Sequence, residues 1–208
     1  MIFRITTETN DYYERILKES IDDLNKFYEI NWVHHLPKII VVADRKNIDA
    51  LRSEKTEPWV VGWADGRSVY VLDKYNLEKE SDHKYSQETY YSLIKHEVSH
   101  TFYSIVSDKR RKPIWLCEGV AIYTSGQNTE KKRLSTFKTF LDFFDDGSGV
   151  YAESGFAVEL LVEKFGKQKI LELIRGLKFT EGKDSFDKLF EKVYGFIPTY
   201  EKFNEFLN

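Results

Sequence analysis

The chain has 208 residues, 41% of them hydrophobic and 15% aromatic, enough apolar side chain for one well-filled core but not for two independent ones. A formal net charge of −3 leaves no electrostatic footprint for nucleic acid, and no stretch approaches the roughly 18 apolar residues that would span a membrane. The single cysteine excludes an internal disulfide and fits a reducing compartment, and Met1 to Asn10 lacks the basic start and apolar run of an export leader, so the expected location is cytoplasmic.

Residues 10 to 30 have the spacing of an amphipathic helix, with Ile16, Leu17, Ile21, Leu24, Phe27 and Tyr28 on its apolar side. Pro37 introduces a short apolar strand, Lys38 to Ala43, and Asp44 and Asn47 then cap a short helix. Trp59 to Ala64 and Ser68 to Leu72 are β-rich runs joined by Asp65-Gly66-Arg67, the strongest hairpin signal in the chain. Beyond residue 84 the pattern is helical throughout. The predicted fold class is therefore α+β, a single domain and an expected monomer: residues 1–80 form a lobe with a small twisted sheet and helices, and residues 81–208 a helical lobe. His34, His35 and His83 fall in loops and are expected to face solvent or be satisfied locally. The basic clusters Lys109 to Lys112 and Lys131 to Arg133 are expected to be solvated faces.

The segment from Gln87 to Ile105 reads as a helix whose core stripe is Tyr91, Ile94, Val98, Thr101, Phe102 and Ile105. On its other face are His96 and His100 in the run His96-Glu97-Val98-Ser99-His100. Four residues make about one helical turn, so the two imidazoles project from one side about 6 Å apart, close enough to share one tetrahedral metal ion. Glu97 sits one position round, beside such an ion rather than on it, where a carboxylate can take a proton from a water and pass it to a leaving amine.

A catalytic zinc site ordinarily has three protein ligands and one open position. The third donor is expected from Trp115-Leu116-Cys117-Glu118-Gly119-Val120-Ala121-Ile122-Tyr123, a helix that starts near Pro113. Glu118 and Cys117 compete for the role. Adjacent helical side chains point about 100° apart, so only one can face the metal. Glu118 is favoured because a carboxylate inside an apolar run must be paired or metal-bound, whereas Cys117 reads equally well as a small buried hydrophobe.

The His-Glu-Val-Ser-His run followed by Trp-Leu-Cys-Glu-Gly-Val-Ala resembles the gluzincin zinc metallopeptidases, and in particular the small bacterial peptidase MA-like domains. The likeness covers roughly residues 58 to 207, with a helix over Tyr151 to Gly166 and a C-terminal pair over Ser185 to Gly195 and Tyr200 to Leu207. It implies a zincin-like fold with the metal in a cleft between the lobes, zinc held by His96, His100 and Glu118, Glu97 as general base, and a peptide or protein as substrate. Two departures stand out. The spacing between His100 and Glu118 is one residue shorter than in the aminopeptidase branch, and Ile122 occupies the place of an acidic residue that often orients a histidine, so another group must do this.

A phenol or imidazole normally helps such a metal stabilise the developing oxyanion, and Tyr151, after the Gly147-Ser148-Gly149 turn, is the candidate. Ser154 reads as a helix-surface residue. On the resemblance, Ser68 to Leu72 is the expected sheet edge along which an extended peptide would add. Three classes of function follow: a zinc peptidase in the lead, then a zinc-binding or interaction module without turnover, then a metal-free helical scaffold.

Overall fold

Asn10 opens the first helix, α1 (Asp11–Tyr28), by accepting a hydrogen bond from the Tyr12 amide, and Glu29 closes it in the left-handed region. The computed structural model describes Thr7 and residues 10–207; the stretch read for a leader lies outside the described residues except at Thr7 and Asn10. Strand β1 (Lys38–Val42) leads to α2 (Arg45–Arg52), whose N-terminus is capped by Asp44 through the Asn47 amide at 2.8 Å, as the sequence predicts. Strands β2 (Gly62–Asp65) and β3 (Ser68–Leu72) form the predicted hairpin, with Gly66 supplying φ +58° at the turn.

The sheet departs from expectation in its order, β1-β3-β2, with β1 parallel and β2 antiparallel to β3. Ser68 to Leu72 is thus the central strand and cannot serve as an edge; the edge on the hairpin side is β2. The strand predicted over Trp59 to Ala64 also starts late, at Gly62. The Arg45 guanidinium is the cause, for it binds the carbonyls of Glu57, Pro58 and Val60 and so draws residues 57–60 out of the ladder.

After a short helix α3 (Leu77–Glu80), the long helix α4 (Gln87–Val106) begins at a reciprocal cap between Ser86 and Thr89. It is buried on most sides. Ile94, Val98, Thr101 and Phe102 are in the core as predicted, Tyr90 and Tyr103 join them, and Ile105, placed in the stripe by its spacing, is 49% exposed because it lies in the last turn. Helix α1 packs along α4, and a buried hydroxyl network ties both to α5 (Ile114–Ser125): Tyr28 Oη lies 3.1 Å from Ser99 Oγ, and Thr124 Oγ1 donates to the same oxygen at 2.9 Å. Since hydroxyls buried without partners cost about 1–3 kcal/mol each, this network fixes the rotation of α4 about its axis.

Helix α6 (Ser154–Phe165) crosses α5 at very short range, because glycine stands on both helices. A Cβ on Gly119 would meet the Ser154 carbonyl oxygen at 2.5 Å, and one on Gly155 would meet Ile122 Cγ2 at 2.3 Å. Ser154 is consequently fully buried, which corrects its reading as a surface residue. Helices α7 (Lys167–Gly176), α8 (Lys183–Tyr194) and α9 (Tyr200–Leu207) complete the chain. The buried side chains from Ile16 to Phe203 form one contiguous core, and the fold class is α+β, mostly helical with a three-stranded sheet. Among the described residues no helix is long and apolar enough to cross a membrane.

Candidate metal centre

The two turns of α4 between His96 and Phe102, and the second turn of α5, bring three lone-pair donors to one point. His96 Nε2 and His100 Nε2 are 3.1 Å apart, and Glu118 Oε2 is 3.3 Å from the first and 3.4 Å from the second. A tetrahedral ion with bonds of about 2.0–2.1 Å has ligand–ligand edges of about 3.3–3.4 Å; the two edges to Glu118 have that length and the edge between the imidazoles is slightly shorter. His96 and Glu118 are buried, at 4% and 7% exposed, and His100 is largely so. Glu118 Oε2 makes no hydrogen bond of acceptable geometry. His96, His100 and Glu118 therefore lie close enough to bind a metal ion.

The outer nitrogens of the two imidazoles explain why the inner ones are free to ligate. His96 Nδ1 lies 3.1 Å from Gln127 Oε1, an oxygen that can only accept, so the proton of a neutral His96 is on Nδ1 and its Nε2 lone pair faces the cluster. Cys117 Sγ is 3.5 Å from His100 Nδ1, on the far side of that ring from the cluster. Cys117, the competitor for the third position, is thus outside the donor group, as the 100° step between neighbouring helical residues requires. Three acceptors facing one another at this range repel unless a cation or a proton sits among them.

The ionisation of the site expresses the same demand. Burial opposes charge on Glu118, yet the two imidazoles hold its carboxyl well below the usual range. Burial also opposes protonation of His100, but Glu118 and Cys117 outweigh it and hold that imidazole well above its ordinary value. Glu97 is pushed up by its burial, against the pull of His96 and His100. It packs against Gly62 of β2, where a Cβ would stand 3.1 Å from Glu97 Cγ and 3.3 Å from Oε1; the missing side chain is what lets the edge strand approach this carboxylate.

Tyr151 lies on a short 3₁₀ turn, Val150–Ala152, rather than within a helix. The turn is set by Glu153, whose carboxylate accepts the backbone amides of Lys138, Thr139 and Phe140, and by Lys131, whose ammonium donates to the Tyr151 carbonyl at 2.7 Å. Lys131 is accordingly half-buried, unlike its neighbours Lys132 and Arg133, and its cluster is only partly a solvated face. The Tyr151 ring centroid is 6.3 Å from that of His96, and burial together with the charges of Glu118 and Glu97 raises the phenol, which keeps it a proton donor. Arg111, exposed in the loop between α4 and α5, pulls the other way on Glu97 and Tyr151. His34, His35 and His83 are exposed and apart from the cluster, as expected. Two surface hollows, one lined by Phe179 and Lys188 and the other by Arg15 and Glu88, contain none of the donors.

Gln127 is the residue that sequence reasoning missed. It follows Gly126, the left-handed terminator of α5, and nothing in its local pattern points back to a histidine thirty-one positions earlier. Replacing Gln127 by Ala is expected to weaken Zn²⁺ affinity about 10–100-fold in a chelator competition, with Gln127→Glu restoring it. Equal affinities in all three proteins would mean that this contact does not orient His96. No family model, curated protein or solved structure matches the chain.

Proposed function

We propose that the protein is a zinc-dependent peptidase of gluzincin type, with zinc held by His96, His100 and Glu118 and peptide hydrolysis assisted by Glu97. The convergence of three buried donors on a tetrahedral edge length, with a carboxylate on the residue next to the first histidine, carries this reading. A His₂Glu set is a donor combination that zinc accepts while keeping a fourth position open. When bound there, the ion supplies Lewis acidity and makes a water at the open position far more acidic.

Each residue then has a defined task. Glu97 accepts a proton as the water oxygen bonds to the peptide carbonyl carbon, and its burial strengthens it as a base. The Tyr151 hydroxyl donates to the carbonyl oxygen as that atom gains charge. The C–N bond breaks as Glu97 returns the proton to the amine nitrogen; the second proton of the water, left on the new carboxyl group, passes to the amine, and the two fragments leave as carboxylate and ammonium. Strand β2 is the natural rail for the substrate. Leu72 donates to the Val61 carbonyl, so by the antiparallel alternation Gly62 and Ala64 turn their amides and carbonyls outward, and Gly62 itself packs against Glu97.

The test is elemental analysis of the purified protein together with hydrolysis of a mixed peptide library, before and after chelation and after zinc is restored. One zinc per chain, cleavage lost on chelation and regained with zinc, and a kcat at least tenfold lower in Tyr151→Phe are expected. Zinc without cleavage of any peptide would instead favour a binding module, and no zinc after supplementation would refute the reading.

A further inference from the structure

Two large aromatic side chains are only partly covered near the donor cluster, Trp59 at 53% exposure and Tyr151 at 41%; Tyr151 is the one that neighbours His96, and Trp59 meets it with ring centroids 6.4 Å apart. Trp59 comes from the turn ahead of β2 and Tyr151 from the turn ahead of α6, so the contact joins the two halves of the chain next to His96. Single exposed apolar residues need no explanation; a fixed pair at a candidate active site does.

The Trp59 turn is held by polar groups committed to its backbone. Arg45 Nη1 donates to Thr56 Oγ1 at 3.1 Å, to the Glu57 carbonyl at 3.3 Å and to the Val60 carbonyl at 2.5 Å, and Nη2 donates to the Pro58 carbonyl at 3.0 Å. The guanidinium is itself fixed by the Glu80 carbonyl, which accepts from Nε and Nη2. His83 Nε2 meets the Trp59 carbonyl at 3.2 Å. The backbone on both sides of Trp59 is thus held in place, so the turn presents the indole in a preset region and ordering it on binding costs little entropy. Tyr151 is fixed in the same manner from the other side, through Lys131 and Glu153.

We propose that Trp59 and the ring of Tyr151 form an apolar subsite that receives a bulky aromatic or branched aliphatic side chain of a peptide next to the scissile bond. This rests on the peptidase reading and names its substrate class. Trp59 lies only three residues before Gly62, so a peptide aligned on the outward groups of Gly62 and Ala64 brings a neighbouring side chain to the indole. An indole face and a phenol ring stack on apolar side chains and exclude water around them.

Two readouts test it, one with turnover and one without. The first is kcat/KM for a peptide pair differing only in Phe or Ala beside the cleaved bond. The second is binding of the same pair to the zinc-loaded Glu97→Gln protein by calorimetry. The Phe peptide is expected to be favoured at least about tenfold in both, with the ratio falling toward one in Trp59→Ala and kept in Trp59→Phe at unchanged Tm. Cleavage with equal rates for the two peptides, or a preference that survives Trp59→Ala, overturns the subsite and leaves the peptidase reading. Selective binding by the wild-type surface without cleavage supports the subsite and overturns the peptidase reading instead.

Discussion

Glu97→Gln is expected to lower kcat for peptide hydrolysis by about 10²–10⁴-fold while one zinc per chain is retained. The amide has nearly the same shape as the carboxylate and fits the same space against Gly62, so packing is undisturbed, but it cannot accept the proton that the attacking water must lose. Glu97 is outside the donor group, and the metal affinity should therefore be that of the wild type within a few-fold. Single-turnover kinetics beside elemental analysis separates the effects. An undiminished kcat would remove Glu97 from the chemistry, and loss of zinc with loss of rate would make it a ligand rather than a base.

Gly119→Ala is expected to destabilise the fold by about 1–3 kcal/mol, a fall in Tm of roughly 2–12 °C for a chain of this length. The added Cβ would stand 2.5 Å from the Ser154 carbonyl oxygen and 2.8 Å from Val158 Cγ2, and the first of these is backbone that cannot rotate aside. Helix α5 must then move away from α6. Because Glu118 is the preceding residue on α5, its carboxylate moves too, and zinc affinity is expected to drop together with Tm. Calorimetric melting of the apo and zinc-loaded forms measures both; an unchanged Tm would show that the two helices can part without cost.

Local patterns make the donor set readable in the sequence, with Cys117 as the one competitor to Glu118. His96 and His100 are four apart on the helix face opposite the core stripe, so spacing pairs them, and Glu118 lies inside an apolar run where a carboxylate needs a partner. What was hidden depended on residues far away along the chain. The hairpin signal makes β2 and β3 neighbours but says nothing of which flank β1 joins, and its parallel pairing with β3 is what turned the expected edge into the centre. Trp59 has the composition of a strand and lost that conformation to Arg45, fourteen positions earlier. Ser154 looked like surface because the near-contact of α5 and α6 is visible only when Gly119 and Gly155 face each other. Gln127 reaches His96 across two helices, and a polar residue just past a helix end has many possible partners.

The open flank of β2 has a consequence for the protein's behaviour among its own copies. Unpaired amides and carbonyls on a strand are a template for any extended segment, including the same strand of another molecule, and such pairing leads to aggregation. Here the hazard is kept small by brevity and charge: the strand is four residues long, it ends in the exposed Asp65, and a two-residue turn follows at once. Two molecules meeting edge to edge in antiparallel fashion would gain only a few hydrogen bonds while adding a buried carboxylate at each end. Lengthening the strand or neutralising Asp65 would remove that safeguard, so the features that limit such pairing lie in the same four residues that would receive a substrate strand under the proposed function.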